Sequence, residues 1–258
     1  MKIWESWKSG CRESDRMQEK MNGELTGTQL KVIALVTMII DHIGLVLLEP
    51  NSVAYWVARS IGRLAFPIYC FLLVEGFVHT RNVKKYLGRL LLFAVISEIP
   101  FDMIHDRFCL ASPWSWQAFV GNLVDSQNVF FTLAIGVVAL WGYVRLNNQR
   151  QPMLAIVWCV AMCGLAWLLR VDYSYGGVAL ICIFYRFRQE PEMRAAWGAG
   201  TLLLAMDPME WPAFLDFWLF SLYRGKKGNG RFQWLFYAAY PLHLLALWMI
   251  ARSMKGIG

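Results

Sequence analysis

The chain has 258 residues, 57% hydrophobic and only 17% charged, with a mean hydropathy of +0.40. A soluble domain carries about a quarter charged residues, so the composition excludes an ordinary soluble enzyme and points to a membrane protein. The net charge of +7 falls in short groups between apolar segments, where it reads as a topology signal; no nucleic acid partner is expected.

Residues 1–27 are mixed in charge and hold no apolar run, as expected of a cytoplasmic N-terminal segment rather than a signal peptide. The remaining residues, 28–258, form the membrane domain. Its apolar segments are 30–49, 55–78, 86–104, 129–147, 152–170, 175–188, 195–206, 211–223 and 232–252. About 20 residues cross the hydrocarbon core as a helix. The expected fold class is therefore all-α, a polytopic transmembrane helical bundle of about nine spans, with eight or ten open. The seventh and eighth segments are short and flank the turn Asp207-Pro208-Met209-Glu210-Trp211-Pro212, so they are expected to be tilted, re-entrant or longer than drawn. The stretch 105–128 is rich in Trp, Phe and Ser and is expected to lie in the membrane interface. Thirteen Trp and ten Tyr suit many such interfaces, where amphipathic rings gather. The six cysteines show no CxxC pair and no zinc spacing; they read as apolar fillers, and no metal is expected.

Orientation follows from Lys and Arg, which favour the cytoplasmic side. With the N-terminus inside, nine helices put Lys31; Arg81, Lys84, Lys85 and Arg89; Arg145 and Arg150; Arg186, Arg188 and Arg194; and Arg224, Lys226, Lys227 and Arg231 on that same side. The bias supports the span count.

Ionisable residues inside the apolar runs are the candidate site. A charge at the centre of a bilayer costs several kcal/mol unless it is paired or faces a cavity. At 1.5 Å rise per residue, His42 lies about 16 Å along the first helix from Lys31, near mid-membrane. Asp41 is beside it but about 100° round the helix, so the two face different neighbours. Arg59 and Arg63 share one face of the second helix, being four apart. Glu98 and Asp102 repeat the spacing on the third, and Glu75 with His79 near the inner end of the second. Opposite charges at similar depth neutralise one another in a low dielectric, so the arginines are expected to meet Glu98 and Asp102.

His42 is the candidate general base, because neutral imidazole takes a proton near operating pH. A carboxylate such as Asp41 or Glu98, with Asp102 in the same group, would fix its tautomer. Arg59 or Arg63 would hold an oxyanion or a donor phosphate, with Glu75 nearby in sequence as a further substrate group. The alternative at this point is that these residues are ion pairs gluing three helices. Asn128 reads as a helix cap or a substrate contact, with the cap favoured. Asp172-Tyr173-Ser174-Tyr175-Gly176-Gly177 reads as a tight turn. His243, inside the last apolar run, reads as a packing residue or a site residue.

Several runs together resemble one family. They are Leu30-Lys31-Val32-Ile33-Ala34 through Asp41-His42-Ile43-Gly44, then Ile61-Gly62-Arg63-Leu64-Ala65-Phe66-Pro67-Ile68 and Leu72-Leu73-Val74-Glu75-Gly76-Phe77-Val78-His79-Thr80-Arg81-Asn82. Lys84-Lys85-Tyr86-Leu87, Ser97-Glu98-Ile99-Pro100-Phe101-Asp102, Asn128-Val129-Phe130-Phe131-Thr132 and Tyr240-Pro241-Leu242-His243 continue them. These resemble the TraX family over about residues 28 to 250, most specifically between 30 and 102. The resemblance implies a multi-pass protein of the bacterial inner membrane. The family's namesake acetylates the N-terminus of a conjugative pilin, and the family is grouped with multi-helix membrane acyltransferases. Those enzymes typically carry a basic residue eleven positions before an essential first-helix histidine. Lys31 and His42 have that separation, with Lys in place of the more usual Arg.

What the resemblance implies is acetyl-CoA, or another acyl-CoA, as a cytoplasmic donor, with Lys31, Arg81, Lys84 and Lys85 near its phosphates. His42 would then deprotonate an acceptor amine or hydroxyl on a pilin-like protein or an envelope glycan or lipid. The competing expectations are a proton-coupled transporter, with the buried charges as its relay, and a structural subunit of a conjugation or secretion apparatus. No internal repeat of the transporter kind is visible.

Overall fold

Polar side chains that accept from otherwise unpaired backbone N–H groups start several helices. Thr26 forms a capping box with Gln29 ahead of α1, Gly27–Leu47. Ser52 caps α2, Val53–Gly62, which leads into α3, Ala65–His79. Asn82 caps α4, Val83–Ile104, and Asn128 caps α5, Val129–Asn148. Pro152 and Pro191 occupy the first turns of α6, Pro152–Leu168, and α8, Pro191–Ala205, where their missing N–H costs nothing. Between them lies α7, Ser174–Arg186. A 3-10 helix, Pro208–Phe214, leads into α9, Leu215–Ser221, and the chain ends in α10, Gln233–Met254.

The computed structural model describes residues 25–105, 126–206, 208–223, 225–226 and 233–254. The expected cytoplasmic segment up to residue 24 and the interface stretch over 106–125 lie outside the described residues. So do Asp207, Arg224, Lys227 and Arg231. Among the described residues every apolar segment is helical and no strand forms, so the fold is an all-α bundle. Gly27–Leu47, Val53–His79, Val129–Asn148 and Trp234–Met254 are long and apolar enough to cross a membrane, and Pro152–Leu168 is a shorter apolar helix. On α6, Met153, Val160, Trp167 and Leu168 are all exposed, an apolar surface suited to lipid rather than water.

Two segments are not single regular helices. The second is interrupted at Arg63-Leu64, where α2 ends and α3 begins. Pro67 lacks the N–H that would bond the Arg63 carbonyl four residues back, and its ring crowds that carbonyl. The eighth contains only seven α-helical residues, a rise of about 10 Å, so it is not a regular span. It nevertheless runs through the depth of the bundle. Glu210 meets Arg63 near the start of α3, while Tyr223 donates to Glu75 near the end of α3. Leu25 and Gly27 then donate to the Leu222 and Lys226 carbonyls. The N-terminal end of α1, the C-terminal end of α3 and Lys226 therefore share one end of the bundle.

The core sits along α3. Phe66, Ile68 and Phe77 are fully buried, against Leu140 of α5, Leu180, Ile181 and Phe184 of α7, and Leu244 of α10. Burying such side chains stabilises by about 1.5–3 kcal/mol each where the reference is water. In lipid the gain comes from close packing instead.

Candidate active site

Asp41 lies on the face of α1 that α2 covers, and its carboxylate binds both arginines. Arg59 Nη1 donates to Oδ2 at 2.6 Å; Arg63 Nη2 donates to Oδ1 at 2.8 Å and Oδ2 at 3.0 Å. The other arm of Arg63, Nη1, donates to Glu210 Oε1 at 2.9 Å. Asp41 and Glu210 are buried, and only 17% and 12% of the two arginine side chains is exposed. Gly44 and Gly62 make this possible. A Cβ on Gly62 would lie 2.1 Å from Asp41 Oδ1, and one on Gly44 would lie 2.8 Å from the Ala58 Cβ. Only hydrogen at these two positions lets α1 and α2 close around the ion cluster.

His42, 100° further round α1, faces α10. Its Nδ1 lies 2.9 Å from the Met38 carbonyl and 3.1 Å from His243 Nε2. A carbonyl only accepts, so His42 carries its proton on Nδ1 and its lone pair on Nε2. By the same logic the Ala239 carbonyl, 2.8 Å from His243 Nδ1, puts the His243 proton on Nδ1. The Nδ1–H of His42 is then shared between Met38 O and the His243 Nε2 lone pair. Tyr240 stands edge-on to the His42 ring, with centroids 6.2 Å apart.

A cavity of about 150 Å³ opens beside these groups. Asp41, His42, Arg59 and Arg63 form its polar wall with Asp172 and His105; Phe66, Tyr69, Phe101, Tyr173 and Tyr240 form the aromatic one. Phe66 and Tyr173 stack at 3.6 Å, nearly parallel. Tyr173 and Ser174 both have left-handed backbone angles, φ 60° and 45°, a costly conformation for residues with side chains. The turn they make places Asp172 and Tyr173 at the cavity. Burial pushes the Asp172 carboxyl up to about 6, against the opposing pull of Arg63.

The cavity unites four expected residues and leaves others apart. Contrary to expectation, the arginines do not pair with Glu98 and Asp102 in these contacts; Asp41 and Glu210 take them. The face of α4 that carries Glu98 meets the start of α5 instead. Glu98 Oε2 accepts from the Asn128 side-chain amide and, at 3.3 Å, from its backbone N–H. Asn128 Nδ2 also donates to Ala94 O, and Asn128 Oδ1 accepts from Phe130 N as the helix cap. Asp102 is fully buried one turn beyond Glu98. Neither Asp41 nor Glu98 sets the His42 tautomer, which the Met38 carbonyl fixes instead. His243 joins His42 directly. Glu75 lies at the other end of α3, with Tyr223. Lys31 is half-buried over the Phe236 ring at 5.7 Å, and Arg81, Lys84 and Lys85 are exposed at the turn into α4.

Sequence reasoning missed Glu210 and Asp172 because both sit in Pro- or Gly-marked turns, where an acid is ordinary. Their one signal was position, each at the end of an apolar segment on the side of Arg63.

The family model described as TraX protein matches residues 26–251. A probable fimbrial assembly protein FimC, serogroup H1, of Dichelobacter nodosus is 32% identical over 253 residues, covering 88% of this chain and 96% of that one. An uncharacterized protein, RP591, of Rickettsia prowazekii (strain Madrid E) is 30% identical over 106 residues, 40% of this chain and 39% of that one. No solved structure matches.

Proposed function

This chain belongs to the TraX family, and on that premise we propose that it is an integral-membrane acyltransferase, moving an acetyl group from acetyl-CoA to an amine or hydroxyl acceptor. The observation that carries the reading is His42. Its Nδ1 proton is fixed by Met38, so its Nε2 lone pair is left for a cavity that two arginines also line. A base and cationic donors around one small space are what acyl transfer needs. His42 Nε2 takes the proton as the acceptor's nitrogen or oxygen bonds to the thioester carbon. Arg59 stabilises the oxyanion that forms, held in place by Asp41. The carbon–sulfur bond then breaks, and the departing thiolate recovers a proton.

The cavity of about 150 Å³ suits an acetyl group beside a small nucleophile. It is well under the roughly 300 Å³ at which drug-sized ligands begin to fit, so the body of CoA stays outside it. Lys31, Arg81, Lys84 and Lys85 are the basic residues for the CoA phosphates, at the end of the bundle that holds Lys226. That end is the cytoplasmic one in this reading, and the membrane is the bacterial inner membrane. The relative from Dichelobacter nodosus is named for fimbrial assembly; for this chain we read a part in pilus or conjugation machinery, with a pilin-like N-terminus or an envelope glycan or lipid as acceptor.

A second reading is favoured by the ion cluster itself. Asp41 and Glu210 pair with both arginines internally, as a purely structural assembly subunit would require. One comparison separates the two. The full chain, purified in nanodiscs, is given acetyl-CoA, and free thiol is measured with water standing in for the acceptor. The acyltransferase reading expects release that falls about 10²–10⁴-fold in His42→Ala, the usual worth of a general base. Equal rates in a folded variant would leave the structural reading.

A further inference from the structure

His42 does not stand alone, and its partner has a chemical use that packing does not require. His243 Nε2 lies 3.1 Å from His42 Nδ1, with ring centroids 4.9 Å apart. The Ala239 carbonyl holds the His243 proton on the far nitrogen, so the atom facing His42 is a lone pair. We propose that His243 is a second proton acceptor behind His42, making the two rings a relay. The proposal rests on the acyltransferase reading.

In that step the acceptor N–H or O–H bond breaks and its proton bonds to His42 Nε2. The Nδ1 proton of His42 passes to His243 Nε2, the new nitrogen–carbon or oxygen–carbon bond forms, and the oxyanion collapses with loss of the CoA thiolate. The proton returns along the same two rings to the thiolate sulfur, so a neutral acceptor and acetyl-CoA give acetylated product and free CoA.

The arrangement has an electrostatic reason. Besides His243, the charged or titratable groups around His42 include Arg59 of α2 with its partner Asp41, Arg63, Asp172 and Tyr173 of the turn before α7, Tyr240 of α10 and His105 just beyond α4. Asp41 and Glu210 are already engaged by the two arginines, so neither balances a full positive charge on His42. Passing the proton on moves that charge to α10, away from the arginines. His243 is a positioning and relay residue, not one that touches substrate.

The test is His243→Gln, whose amide oxygen accepts from His42 Nδ1 but binds no proton. CoA release should fall about 10–100-fold, the lower part of the range for acid–base groups, with the KM for acetyl-CoA unchanged. A merely structural role predicts a rate within about twofold of wild type, and that result overturns the relay. A second measurement needs no variant. The wild-type rate in mixtures of light and heavy water should curve as two moving protons require; a straight line means a single proton and overturns the relay. Release that depends on His42 but is indifferent to His243→Gln removes only the relay. Release indifferent to His42→Ala removes the acyltransferase reading, and the relay with it.

Discussion

Asp41 holds two guanidinium groups with one carboxylate, so its loss leaves buried positive charge. Removing one partner of a buried ion pair typically costs about 3–5 kcal/mol. Asp41→Ala should lower the thermal midpoint in detergent far more than His42→Ala, which removes no charge partner; similar midpoints would contradict the ion-cluster geometry. Asp172 gives a pH-dependent counterpart. Its carboxyl titrates at about 6 because of burial, above its unfolded value, so the folded protein binds the extra proton. The cost of its charge is present above pH 6 and fades as the pH falls below it. Asp172→Asn keeps the oxygen that accepts from the Tyr173 N–H, so the variant should gain on wild type at pH 8 and keep only about half of that advantage at pH 5. A gap independent of pH would contradict this. His42, Asp41, Arg59 and Arg63 were legible because ionisable residues in apolar runs stand out. Their pairing was not, because spacing reports depth and helix face but not which neighbour that face meets. Glu98 thus went to Asn128, and Glu210 came to Arg63 from 147 residues away.

At the scale of elements, the site depends on how closely α1 and α2 approach. Gly62→Ala places a methyl group where Asp41 now sits. Overpacking of this kind costs about 1–3 kcal/mol. Because the displaced atoms are the carboxylate itself, activity should fall along with the midpoint. An alanine variant with normal stability and normal CoA release would show that the approach is not required. The helical segments were readable from hydropathy alone, since a bilayer admits little else. The interruption at Arg63-Leu64 was also written in the sequence, in Pro67, but a proline in an apolar run can be absorbed. Pro100 and Pro241 lie inside unbroken helices, so the residue type does not decide the outcome. The 3-10 segment at Pro208–Phe214 followed no periodicity, which is why its role in carrying Glu210 to the cavity was not legible.

The whole molecule places the two halves of the proposed chemistry at different depths. His42 is about 22 Å along α1 from Gly27, while Lys31, Arg81, Lys84 and Lys85 belong to the end where Gly27 bonds Lys226. In the proposed reaction the thioester therefore reaches from a basic surface into the membrane, and the acceptor meets it there. Single cysteines replacing Lys226 and Val53 should react with a membrane-impermeant thiol reagent from opposite sides, Lys226→Cys from the cytoplasmic one. In the proposed function His42 drives transfer of an acetyl group. Its most direct test is to add radiolabelled acetyl-CoA to membranes from cells producing wild type or His42→Ala, and to measure label retained in the membrane fraction. Label should accumulate with wild type and stay at the level of gene-free membranes with His42→Ala. Equal labelling by the two proteins would contradict the account.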